Sequence, residues 1–172
     1  MSLLKILIFP DSRLRTVAKP IERVDDEVKK LSSNMLETMY EGGGVGLAAT
    51  QVDVHRRLIV VDVSEEKNKP IILINPKTIK VSSERKKLYE EGCLSVPGFY
   101  EDIERPYKIK INALNEKNTE VYMELEDLES VVVQHEMDHL DGKMFVDYLS
   151  GLKRLRIKQK LLKMRKEKGN HL

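Results

Sequence analysis

Residues 135–139 read His-Glu-Met-Asp-His. Histidines four apart on a helix share one face, with Cβ atoms about 5–6 Å apart. At that spacing two imidazoles can bind one ion, about 2.0–2.1 Å from each nitrogen. Glu136 falls about 100° around the helix, since 3.6 residues make a turn. A carboxylate there can reach a water beside the ion without being a ligand itself. His-Glu-x-x-His therefore points to metal-assisted hydrolysis. The plainer alternative is two ordinary histidines on an amphipathic helix. It suits a lone His better than this pair on a Val-rich segment.

Two imidazoles do not complete a catalytic site, which usually has three protein ligands. The stretch continues Leu140-Asp141-Gly142 and follows the longer H-E-x-x-H-x-x-G-x-x-H form as far as its glycine. Position 145, where that form has its third His, is Phe. The only Glu after His139 is Glu167, deep in a basic tail, where a solvated charge is expected. His55 and His171 have no partner at ligand spacing. That leaves Cys93, the single cysteine, in "EEGCLSVPG". A thiolate suits borderline and soft divalent ions, and closing so long a loop adds only about 0.6 kcal/mol per doubling of length. A lone Cys is also often a small buried hydrophobe, so spacing alone leaves both readings of Cys93 open.

"GGGVGLAATQ" (42–51) invites a phosphate reading. No Gly-Lys-Ser/Thr follows, which excludes a Walker loop. Gly44–Ala49 fits G-x-G-x-x-A, but a dinucleotide site needs a strand before the glycines and a full helix after them. Here a helix precedes. The loop reads better as a close-approach segment whose backbone pairs with an extended ligand, with Gln51 as a neutral donor. A plain helix cap and turn is the alternative.

These residues need elements to hold them. Residues 25–41 place Val28, Leu31, Met35 and Met39 on one helical face, with Asp25 and Asp26 at the favourable end. Residues 57–63 and 71–75 read as buried strands, and residues 1–10 as an edge strand ended by Pro10, not a signal peptide. Segments 107–114 and 119–125 alternate around "NEKN" and predict an antiparallel hairpin. Leu128, Val131, Val132, His135 and His139 form one helical stripe, with Gly142 as its cap. A last helix over 149–168 has a seam of Leu152, Leu155, Leu161 and Leu162. The class is α+β.

The 172 residues suit one domain, 1–172, with a real core. With 41% apolar and 34% charged residues, and no apolar run near the roughly 20 needed to cross a bilayer, the chain reads as a soluble protein without a membrane partner. One cysteine excludes an intrachain disulfide framework and fits a reducing cytoplasm. The net charge of +2 hides an asymmetry. Residues 151–172 hold nine Lys/Arg and one acid, against 21 basic and 27 acidic residues in 1–150, so a body near −6 carries a tail near +8. Such segregation suggests an acidic partner for the tail.

Taken together, "GGVGLAATQ", "EGCLSVPG" and "QHEMDHLDG" resemble, in this order and at these intervals, the peptide deformylases. These are bacterial and organellar metallohydrolases that remove the N-formyl group from nascent chains. The resemblance covers the whole chain. It implies antiparallel or mixed sheets packed around a central His-Glu-x-x-His helix, with a C-terminal helix. It implies Cys93, His135 and His139 as metal ligands, Glu136 as the acid–base group, and Gln51 with the Leu94 N–H as oxyanion donors. It implies that the extended peptide pairs near Val45, Gly46 and Gly92, and that Leu128, Val131 and Val132 wall a pocket for its Met side chain. Glu91 and Arg105 resemble the family's supporting ion pair. Tyr100 departs from members that carry an Arg nearby. The implied cofactor is one divalent ion, ferrous in the cell, with zinc, nickel or cobalt able to replace it. The implied setting is a cytoplasmic monomer whose basic helix, 149–168, docks on ribosomal RNA. On that reading, removal of the residues after Ser150 should spare hydrolysis. Two other readings compete: an endopeptidase, which would survive Cys93→Ala, and a non-catalytic metal-dependent binding module, which would have no activity to lose at Glu136.

Overall fold

Asp25 opens the first helix by accepting the Val28 N–H at 3.0 Å, and two further acids follow in the first turn. In this computed structural model, which describes residues 2–83 and 86–169, the helix is α1, Asp26–Glu41. Val28, Met35 and Met39 are fully buried, and Leu31 packs at the edge of the same cluster. The face was legible because its apolar residues recur at helical spacing.

β1 (Gly46–Ala48), β2 (Leu58–Val61), β3 (Ile71–Val81), β6 (Lys108–Leu114) and β7 (Glu120–Glu126) make one five-stranded sheet, ordered β1-β2-β3-β6-β7. β4 (Lys86–Cys93) and β5 (Val96–Pro106) form a separate two-stranded sheet. Every ladder between these strands is antiparallel; Lys19 and Arg56 add an isolated parallel bridge. The β6–β7 hairpin pairs Ile111 with Met123 and Ala113 with Val121, as the alternation predicts. β3 is longer than its apolar start suggested. It continues through Asn75-Pro76 with a register shift between Ile74 and Lys77, where a proline is tolerated.

α2, Asp127–Leu140, runs across the larger sheet and packs against β1, β2 and β7. Val133 and Leu140 pack into the sheet core with Ile59, Ile111 and Leu125. Val131, Val132, His135, Glu136 and His139 are buried as well, so α2 is enclosed on most of its circumference. Gly142 (φ +73°) follows it in the left-handed region, and an added Cβ would meet the Arg15 carbonyl at 2.5 Å.

Two expectations need correction, and one hairpin was not expected. Residues 2–8 form no strand. The segment is pinned to the site's supports by single bonds, Leu7 N–H to the Gln51 carbonyl at 2.7 Å and Phe9 N–H to that of Ser95 at 2.8 Å. The β4–β5 hairpin around Cys93 lies where the sequence suggested no element. The last helix, α3 (Gly151–Gly169), buries Ile157 and Leu161, while Leu152, Leu155 and Leu162 are exposed. At 100° per residue those exposed leucines lie on the opposite side from Ile157 and Leu161. The buried pair joins Leu7, Phe9, Phe145 and Val146 in a second core. Removing residues after Ser150 would therefore strip this core as well as the charge. His171 lies outside the described residues.

Candidate metal centre

Cys93 ends β4, where the pairing register shifts between Glu91 and Cys93. Such a bulge re-aims a side chain, and this one faces α2. Cys93 Sγ lies 3.4 Å from His139 Nε2, and the donor atoms of Cys93, His135 and His139 all lie within 4.8 Å of one another. Ligands about 2.0–2.3 Å from one tetrahedral centre stand about 3.3–3.8 Å apart, so the sulfur–imidazole spacing fits a shared divalent ion. This is the only such convergent His/Cys/Asp/Glu group among the described residues.

The surroundings hold His135 and the sulfur, while His139 Nδ1 has no hydrogen-bond partner in the protein. His135 Nδ1 lies 2.8 Å from Glu91 Oε1; an ionised carboxylate only accepts, so the ring donates there and Nε2 is left to ligate. Burial alone would raise the Glu91 pKa, but hydrogen bonds from His135 and Arg105 overcome it and hold the group below the usual value. Burial pushes His139 well below its ordinary value, with Arg105 nearby adding to it. The His135 and His139 rings meet edge-on with centroids 5.1 Å apart. Phe145, where the longer motif has a third His, instead stacks on His135 at 6.0 Å. It is a wall of the site, not a ligand.

Gln51 is buried and held at both ends. Its Oε1 accepts the Ala48 N–H at 2.9 Å, and its Nε2 donates to Ser95 Oγ at 3.1 Å and lies 3.4 Å from Cys93 Sγ. The Ser95 N–H also points to the sulfur at 3.4 Å. Leu94 and Ser95 form the tight turn between β4 and β5, so the Leu94 N–H directly follows Cys93. Glu136 is buried, and its Oε2 has no hydrogen-bond partner in the protein. Burial pushes its pKa up to about 7; His135 opposes this and the Glu91 charge adds to it. Such a carboxyl can take and return a proton near neutrality. Gly46 is required beside it, because an added Cβ would fall 2.6 Å from Glu136 Oε1 and 2.9 Å from Val132 Cγ1.

These groups open into a cavity of about 420 Å³ between the glycine loop, the β4–β5 hairpin and α2. Val131 and Val132 form a buried wall, with Leu128 half-exposed at the mouth. Val45 is also at the rim, and its carbonyl accepts the Asp62 N–H at 2.8 Å, which fastens the loop to the end of β2. The Tyr100 ring covers Gly92, where a Cβ would sit 2.5 Å from the ring.

The sequence reading therefore named residues that the fold brings together. It missed Ser95, which orients Gln51, and it missed Asp138 and Tyr148. Asp138 Oδ2 accepts from Arg105 Nη1 at 3.0 Å and from Tyr148 Oη at 2.8 Å. The buried Arg105 carries that signal, since a buried guanidinium needs more partners than one carboxylate supplies.

Comparison with known proteins shows the family. Residues 3–155 match the family described as Polypeptide deformylase. A peptide deformylase of Teredinibacter turnerae is 55% identical over 98% of this chain and all of its own length. That of Pseudomonas aeruginosa is 53% identical with the same coverage. A crystal structure of a peptide deformylase from Legionella pneumophila superposes with a TM-score of 0.91 at 41% identity, covering 98% of each chain. One from Ehrlichia chaffeensis, in complex with actinonin, gives 0.92 at 39% identity, covering 95% of this chain and 98% of that one. Fold and family are those of a metal-dependent hydrolase acting on a linear amide. The chain belongs to the polypeptide deformylase family, whose members remove the N-formyl group from nascent peptides.

Proposed function

We propose that Cys93, His135 and His139 hold the catalytic ion and that Glu136 moves the proton in deformylation of formyl-methionyl peptides. One observation carries this: a sulfur and two imidazoles converge within 4.8 Å beside a buried carboxyl with an unpaired oxygen. A divalent ion held there would polarise the formyl carbonyl and bring the pKa of a water from 15.7 toward about 7. Glu136 accepts the proton of the attacking water and delivers it to the leaving amine nitrogen. The Gln51 amide and the Leu94 N–H donate to the oxygen on which charge develops. The bond between formyl carbon and peptide nitrogen breaks, leaving formate and a free N-terminal amine. The peptide lies extended against the backbone near Val45, Gly46 and Gly92, with its Met side chain against Leu128, Val131 and Val132.

The ion in the cell is ferrous iron, and zinc, nickel or cobalt can take its place; a thiolate with two imidazoles suits all four. The protein works as one domain over 1–172, as a monomer in the cytoplasm. α3 docks on ribosomal RNA at the peptide exit, a reading supported by nine cations against one acid on a helix that exposes most of its surface. Among the described residues, no helix is long and apolar enough to cross a membrane. The test of the chemistry is formate release from formyl-Met-Ala-Ser by protein purified without air. Release by the parent and its loss in Glu136→Gln with the metal retained support the reading. Hydrolysis of internal peptide bonds, or activity that survives Cys93→Ala, would point to an endopeptidase.

A further inference from the structure

We propose that Tyr148 and Asp138 are positioning residues for the metal centre, acting through Arg105 and Glu91 on the His135 imidazole and on the strand that carries Cys93. This rests on the reading of His135 and Cys93 as ligands and extends it outward to the protein surface.

The contacts run inward without a break. Tyr148 Oη donates to Asp138 Oδ2 at 2.8 Å, and the same oxygen accepts from Arg105 Nη1 at 3.0 Å. Arg105 grips Glu91 twice, Nε to Oε2 at 2.5 Å and Nη2 to Oε1 at 3.0 Å. Glu91 Oε1 in turn accepts from His135 Nδ1 at 2.8 Å. The guanidinium carbon also lies 5.1 Å from the Tyr148 ring centroid, so the ring covers the cation while its hydroxyl aims the carboxylate.

The route leaves α2, crosses the β4–β5 hairpin and returns to α2. His135 and Asp138 are on α2, Glu91 is on β4 and Arg105 on β5. Cys93 lies two residues beyond Glu91. The clamp therefore sets the distance between the sulfur's strand and the imidazoles' helix, as well as the tilt of one ring.

Each member has a distinct task. A planar guanidinium fixed to one carboxylate can still swing about that edge. Asp138 holds its remaining nitrogen and stops the swing. The Asp138 side chain is 19% exposed, against 5% for both Arg105 and Glu91, so water competes for it. Tyr148 answers that competition by holding the carboxylate inward. Burial, with Asp138 adding to it, pushes the Tyr148 hydroxyl up to about 12, so it remains a donor at any working pH. Tyr148 as a whole residue is 53% exposed, so its hydroxyl can be removed without opening a core cavity.

The test uses the full chain loaded anaerobically with Co²⁺. Two quantities are read: the near-ultraviolet thiolate-to-cobalt absorption band, and the Co²⁺ affinity from competition with nitrilotriacetate. Asp138→Asn should weaken affinity about 10- to 100-fold, the usual effect of losing an outer partner of a metal site. Tyr148→Phe should weaken it about three- to tenfold, as one lost hydrogen bond allows. Both should shift the band. Tyr122→Phe, which removes a surface hydrogen bond to Glu120, should change neither quantity. If Asp138→Asn does not fold, Tyr148→Phe decides. A folded Tyr148→Phe with affinity within twofold of the parent and an unmoved band overturns the proposal, even if its melting temperature falls. A parent protein with no sulfur band overturns the ligand reading first, and this inference with it.

Discussion

α2 has 14 residues, eight of them buried; α3 has 19 and buries only Ile157 and Leu161. The short helix therefore acts on the interior and the long one faces outward. α2 brings two imidazoles and a carboxyl into the protein interior, where a polar atom needs a partner or a function. Glu91 holds the His135 ring, itself held by Arg105, whereas Glu136 Oε2 and His139 Nδ1 have no hydrogen-bond partner in the protein. α3 leaves its cations in solvent, where each is worth little to stability, and attaches to the body by two apolar side chains and a few surface contacts. Substitutions in α2 should accordingly change chemistry. Those in α3 should change either folding or partner binding, depending on which side of the helix they touch.

The largest effect should come from Glu136→Gln. It keeps the volume and removes the proton carrier, so formate release should fall about 10²- to 10⁴-fold, with Co²⁺ affinity and spectrum unchanged. A loss of metal in this variant would make Glu136 a ligand and erase the division of labour within α2. Leu161→Ala should cost about 2–3 kcal/mol in urea unfolding, because it empties part of the second core. Unchanged stability would mean that α3 is not part of the folded body. Gly46→Ala sharpens the other side, since it drives a Cβ against Glu136 Oε1 and Val132. About 1–3 kcal/mol of stability should be lost, and turnover should fall further than that loss alone explains.

Legibility in the sequence follows the same division. α2 and α1 were readable because their apolar residues recur at helical spacing. The β6–β7 hairpin was readable because Ile109, Ile111, Val121, Met123 and Leu125 alternate around a polar turn. The β4–β5 hairpin was not. Lys86, Lys87, Glu90, Glu91, Glu101, Asp102 and Glu104 fill its strands with charge, and Pro97 and Gly98 interrupt the second. Only Ile103 and Val96 mark its apolar side as fully buried. Spacing alone left Cys93 open between a ligand and a small buried hydrophobe, and the triad was implied only by the resemblance of the three motifs to the deformylases. Asp138, Ser95 and Tyr148 were out of reach, since partners of a buried guanidinium or amide are set by tertiary contact and leave no spacing pattern. The α3 seam misled for a related reason. Leucines on both sides of a helix give no sign of which side meets a core.

Two smaller effects complete the contrast. Asp147→Asn loosens the paired contacts to Arg15, at 2.6 and 2.8 Å, and the Met144 N–H bond at 3.0 Å, near the base of α3. It should cost about 1 kcal/mol at pH 7. Burial would raise the Asp147 pKa, but Arg15 overcomes it and holds the group below 3.8. The wild-type advantage should thus be complete above about pH 4 and disappear as pH falls through the lowered folded-state value. Unfolding at pH 7 and at pH 3 checks the sign. Last, Lys158→Glu with Lys163→Glu, both on exposed positions of α3, should leave stability within about 0.5 kcal/mol each and formyl-peptide hydrolysis unchanged. Affinity for ribosomal RNA should fall, with a salt slope shallower by about 0.7–0.9 per charge removed. An unaltered slope would make α3 a solvated surface only.

X-ray absorption on the Zn²⁺-loaded chain tests the metal centre most directly. One sulfur at about 2.3 Å with two nitrogens at about 2.0–2.1 Å is the expected ligand shell, and Cys93→Ala should remove the sulfur. A shell made only of nitrogen and oxygen in the parent would contradict the account.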